Sequence, residues 1–126
     1  MRLKHLFTIN FFIAIVFGFN CTFLADMLLK VYGIVPDPAS IWATRLTGGS
    51  ILGFSTLMWF GRNTESVNTR KAITLALLIQ DIVGFVASLD IQLGGKVNLF
   101  GWSSPFIYGL MAAGYAYFLF IRPDYC

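Results

Sequence analysis

LFTINFFIAIVFGFNCTFLA, residues 6–25, is a run of 20 residues without a charged side chain. A helix needs roughly 20 apolar residues to cross the ~30 Å hydrocarbon layer of a bilayer. The stretch therefore predicts a membrane-crossing helix. The whole chain points the same way. Of its 126 residues 57% are hydrophobic and only 12% are charged. A soluble domain of this size carries about a quarter charged residues, because it must cover its surface with polar groups. One core could not hide this much apolar side chain, so lipid must be the solvent for much of the surface.

Three further stretches read as spans, giving boundaries of about 6–30, 38–61, 70–93 and 105–121. Asp37-Pro38 is an N-cap followed by proline at the first helical position. The second span then runs on, interrupted only by Arg45. Asp81 lies inside the third, which Gly94 and Gly95 end. Ser104-Pro105 opens the fourth, and Pro123 stops it. Strands are excluded, since the apolar runs are long and continuous and lack the alternation of a barrel wall. The expected fold is an all-α integral membrane four-helix bundle, antiparallel up-down-up-down, with short loops and a single domain over residues 1–126.

Trp42 and Trp59 bracket the second span, 17 residues or about 25 Å apart, and Trp102 precedes the fourth. Indole rings prefer the headgroup level, so all three read as interface anchors. Arg2, Lys4, Arg62, Arg70, Lys71 and Arg122 fall on one side of the spans, against Lys30, Lys96 and Arg45 on the other. That asymmetry favours both termini in the cytoplasm; the expected location is a plasma or inner membrane. The first span also has the outline of a signal peptide, with a basic start and Phe23, Leu24, Ala25 at its end. Its apolar run is longer than a signal core, so it reads as a retained helix.

The net charge of +3 is not clustered, and no basic–aromatic interleaving suggests nucleic-acid binding. Cys21 and Cys126 belong to different depths, which argues against a disulfide between them. No Cys/His spacing predicts a metal site, no cofactor is expected, and the single His5 is a headgroup-level flank.

The ionisable residues within the spans are the candidates for function. A charge at membrane depth costs at least ~2.5 kcal/mol by insertion scales, so it normally faces the interior with a partner. Asp26, Arg45 and Asp90 reach similar depth near the outer face and are expected to form a polar cluster, with Thr44, Thr47 and Ser88 at hand. Asp81 sits mid-membrane beside Gln80, level with residues 50–55 and Tyr115. It could carry a proton, meet a polar ligand head, or tie helices together. Asp26, Arg45, Asp81, Asp90 and Tyr115 thus form the candidate ligand-binding set. Gly49-x-x-x-Gly53, Gly84, Gly109 and Ala113 are expected at helix contacts, because small residues let backbones approach. The phenylalanines of the first span read as lipid-facing or core.

The stretch Arg45-x-x-Gly48-Gly49, the closing Arg62 and the pair Asp81-x-x-Gly84 resemble, in that order, the DoxX-like superfamily of small four-helix membrane proteins. The resemblance runs over nearly the whole chain and implies an accessory membrane subunit. A more distant likeness to the four-helix scaffold of sterol biosynthesis implies scaffolding rather than catalysis. An accessory or scaffold subunit, with a membrane-protein partner or a second copy, is therefore the first functional expectation. The alternative is a binder or isomerase of a lipid, quinone or sterol-like molecule held within the bundle. A small proton-coupled exporter ranks third, since the first span lacks the central glutamate of such proteins. A hydrolase would need a nucleophile, histidine and acid together, and the lone His5 lies at the wrong end for such a trio.

Overall fold

The computed structural model describes residues 2–121, whose regular elements are all helical, with no strand among them. The elements are α1 (Leu3–Phe23), α2 (Ala25–Val31), α3 (Pro38–Gly61), α4 (Val67–Leu93), a 3₁₀ turn (Leu99–Trp102), α5 (Ser103–Ala116) and a closing π turn (Tyr117–Ile121). Three stretches, Leu3–Phe23, Val67–Leu93 and Leu99–Ile121, are long and apolar enough to cross a membrane. At 24 residues α3 has the length, but it carries Arg45 and the run Thr47, Gly48, Gly49, Ser50, and is less apolar than the other three.

The ends follow local chemistry. Asp37 accepts the Ser40 N–H at 2.6 Å while Ser40 Oγ accepts the Asp37 N–H at 3.0 Å, a reciprocal cap with Pro38 behind it. The Ser40 amide and hydroxyl hold the exposed Asp37 carboxyl below the usual carboxylate range. A carboxyl lowered by folding stabilises above its unfolded value and loses that contribution as the pH falls through its folded one. Hydrogen exchange at the first α3 amides, corrected for intrinsic rate, should therefore speed up on acidification and should not in Asp37→Asn. Ser66 caps α4 three residues earlier than expected, accepting from the Thr69 N–H. At α1, His5 Nδ1 accepts the Arg2 N–H at 3.1 Å, so this histidine caps a helix.

The first expected span is not one helix. It breaks at Leu24, whose φ of −123° and ψ of 37° leave the helical region. Just before the break, Asn20 and Thr22 each donate a side-chain bond to the carbonyl four residues back, both at 2.8 Å. Such bonds compete with the backbone ladder and bend helices. Pro105, expected to open the last helix, lies in the first turn of α5, where its missing N–H costs nothing. Arg122, Pro123 and Cys126 lie outside the described residues.

The helices pack as two antiparallel pairs, α1 with α3 and α4 with α5, and the pairs touch each other more sparingly. Gly48 makes the first pairing close: a Cβ there would lie 2.8 Å from both the Gly18 carbonyl oxygen and the Thr22 nitrogen. In the second pair Gly84 faces the Tyr108 ring and Gly109 faces Phe85. Three expected contact residues prove otherwise. A Cβ at Gly49 or Gly53 would meet nothing within 4 Å, and Ala113 is exposed. Successive helix residues turn by about 100°, so Gly48 and Gly114, their chain neighbours, take the contacts instead, Gly114 against Leu6. The core includes Leu3, Leu6, Phe7, Met58, Leu77 and Tyr115.

The exterior is as apolar as the core. No more than about a third of the most apolar window of each candidate span is buried. Phe12, Val16, Phe19, Phe23, Val83, Val86 and Phe106 all point outward. Phe11 and Phe17 pack against the core. Trp42 and Trp102 are exposed. Trp59 stacks against Phe11 at 4.6 Å between ring centroids, and the Arg62 guanidinium lies 3.4 Å over its indole.

Candidate functional site

Where the two pairs fail to close on each other they leave a cavity of about 90 Å³. All four long helices contribute. Asn10, Ala14 and Phe17 come from α1, Phe54 and Met58 from α3, Asp81 from α4, and Tyr108 and Met111 from α5. The cavity reaches from Met111 to Ser103 along α5, eight residues or roughly 12 Å at the helical rise. One extremity ends at Tyr32, Ser103 and Ser104, where the Tyr32 and Ser103 hydroxyls stand 3.5 Å apart.

That hydroxyl end is built by the loop after α4. Gly33 takes a φ of 75°, which only glycine adopts readily, and turns the chain at the end of α2. Asn98 then staples the two segments: its amide donates to the Val31 carbonyl at 2.8 Å and its backbone N–H to the Tyr32 carbonyl at 3.1 Å. Buried Gln92 donates to the Asn98 carbonyl at 3.1 Å, tying the staple to α4. Tyr32 is thereby held beside the start of α5. Neither Gln92 nor Asn98 stands out in the sequence, because each acts through a contact between segments.

Asp81 is the chemical centre. It is 5% exposed, and its Oδ2 is buried without a hydrogen-bond partner. A buried polar atom without a partner is rare and calls for an explanation. The neighbouring polar groups are amides and hydroxyls: Asn10, Gln80, Tyr108, Ser103 and Ser104. Asn10 is already engaged, its amide donating to the Tyr115 hydroxyl at 2.7 Å. Tyr115 is fully buried, and its hydroxyl donates in turn to the Met58 sulfur at 3.8 Å. Tyr115 therefore serves the packing behind the cavity and does not line it. The sequence reading misses Asn10, although an amide within an apolar run, like Asn20 further on, needs a partner at membrane depth.

The expected cluster of Asp26, Arg45 and Asp90 does not form. All three are exposed, and no ion pair or hydrogen bond joins them. Thr44, Thr47 and Ser88 bond to carbonyls of their own helices at 2.7, 2.9 and 2.6 Å. The depth estimate took no account of which way each side chain points around its helix. Among the described residues no group of three His, Cys, Asp or Glu could hold a metal ion.

Compared with known proteins, the chain matches no family model, no curated protein and no solved structure.

Proposed function

We propose that this is a four-span membrane protein that holds a small molecule in the cavity between its helix pairs, with Asp81 as the group that meets it. One observation carries the reading: the buried Asp81 Oδ2 has no partner among the described residues and lies beside space. A residue that merely tied helices together would spend its oxygens on the neighbouring helix. On this reading α3 is the fourth crossing despite its lower apolarity, shielded on one side by α1. The Lys and Arg asymmetry places the termini in the cytoplasm and the Tyr32–Ser103 end at the opposite face. Trp42, Trp59 and Trp102 then serve as headgroup anchors. Asp26 and Asp90 lie away from the cavity, so an isomerase using two acids has only Asp81 there. The reading is accordingly of binding.

The test is mass spectrometry of the intact protein released from mild detergent. A stoichiometric small molecule is expected on the wild type and absent from Ala14→Phe, which fills the cavity. Equal occupancy in both proteins would remove the cavity from the account.

The open Gly49 and Gly53 face of α3 favours a second reading, the accessory subunit that the DoxX-like resemblance implies. Small residues facing outward leave room for a partner's helix. A complex of fixed stoichiometry should then dissociate in Gly53→Phe, and a variant that stays assembled argues against that face.

A further inference from the structure

The cavity is selective in its chemistry. Among the described residues that line it, Asp81 is the one carboxylic acid; there is no Glu, Arg, Lys or His. Its Oδ2 has no donor. One N–H of the Asn10 amide is given to Tyr115, and the Asn10 carbonyl oxygen offers a second acceptor. The site therefore lacks positive charge, while Asp81 Oδ2 stands in it as an acceptor without a partner. Its walls are aromatic faces (Phe17, Phe54, Tyr108) and the thioethers of Met58 and Met111. Aromatic faces attract cations, and more strongly when the pair is desolvated. A buried carboxylate is tolerated when a cation of good geometry meets it.

Size narrows the choice. An apolar cavity of about 150 Å³ holds benzene, so about 90 Å³ admits a head of a few non-hydrogen atoms and no fused ring system. A sterol does not fit, and neither does a quinone ring, which is larger than benzene. An aminophospholipid head would bring a phosphate, for which the lining offers no cation.

Resting on the binding function proposed above, we infer that the cavity takes a small organic cation: a free alkylammonium, arriving from the water at the Tyr32–Ser103 end and seated with its N–H groups on Asp81 and its alkyl part between Phe17, Phe54 and Tyr108.

The methionines report on this directly. Met58 and Met111 line the cavity, whereas Met27 is exposed on α2. With ¹³C-methyl methionine in an uncharged maltoside detergent, isobutylammonium chloride should shift the Met58 and Met111 signals saturably and leave Met27 unmoved. Isobutanol, of the same shape without the charge, should bind at least tenfold more weakly. Asp81→Asn should weaken the ammonium at least tenfold and leave isobutanol unchanged. Isobutanol binding as tightly as the ammonium, or an Asp81→Asn protein that binds the ammonium unchanged, overturns the cation and leaves the cavity reading standing. Failure of both probes to move Met58 or Met111 overturns the cation and the cavity together. The comparison of the two probes on the wild type stands by itself if Asp81→Asn does not fold.

Discussion

Gly48→Val will force α1 and α3 apart, while Gly49→Val, one residue along the same helix, will be tolerated. A side chain at Gly48 meets the Gly18 carbonyl and the Thr22 amide, backbone atoms that cannot rotate aside. Overpacking of a tight contact costs about 1–3 kcal/mol, and contact with rigid backbone puts this site at or above the upper figure. Gly49 and Gly53 face open space, and surface changes usually stay within about 0.5 kcal/mol. Unfolding of the detergent-solubilised variants by SDS titration ranks them. A Gly49 or Gly53 variant that loses more than Gly48→Val would contradict the observed crossing of α1 and α3.

Tyr115→Ala will be the most damaging change at the inner end of the cavity. It empties a fully buried site where α1, α3 and α5 meet, with the Phe7 ring 5.9 Å away. Truncating a large buried aromatic costs about 3–5 kcal/mol. Tyr115→Phe separates the hydrogen bond from the packing. It strands the Asn10 amide, and an unsatisfied buried donor costs about 1–3 kcal/mol. Replacing both partners with apolar groups of similar shape removes that penalty, so Asn10→Leu combined with Tyr115→Phe should recover much of the stability lost in Tyr115→Phe. If the double variant is less stable than the single by the full cost of Asn10→Leu, the two side chains are not coupled as their 2.7 Å contact requires. The same experiment distinguishes a support residue from a ligand contact. Tyr115→Phe should lower stability while leaving the ligand class unchanged, because the phenol does not line the cavity.

Asp81, an acid inside an otherwise uncharged run, is the carboxyl that lines the cavity. Placement by depth failed for Asp26, Arg45 and Asp90. Each turns outward. The glycines divide in the same way. Gly84 and Gly109 lie at the α4–α5 contact, whereas Gly49 and Gly53 miss the α1–α3 contact that Gly48 makes. A motif of small residues four apart identifies a smooth helix face but does not say which neighbour, if any, will use it.

What the amino-acid order determined by itself is the solvent and the answer to it. Uncharged runs as long as residues 6–25 belong in oil, and in oil a backbone must satisfy its own polar groups, which makes it helical. The caps at Asp37 and the turn at Gly94 and Gly95 were legible for the same reason, since they concern residues within a few positions of one another. Only the tertiary structure decided the rotation of each helix about its axis, the pairing of α1 with α3 and α4 with α5, and the space left between the pairs. Those depend on contacts such as Gly48 with Gly18 and Asn10 with Tyr115, which bring together residues 30 and 105 positions apart. In a chain apolar on every side, hydrophobic patterning cannot show which face turns inward; the fit of side chains across the contacts chooses it.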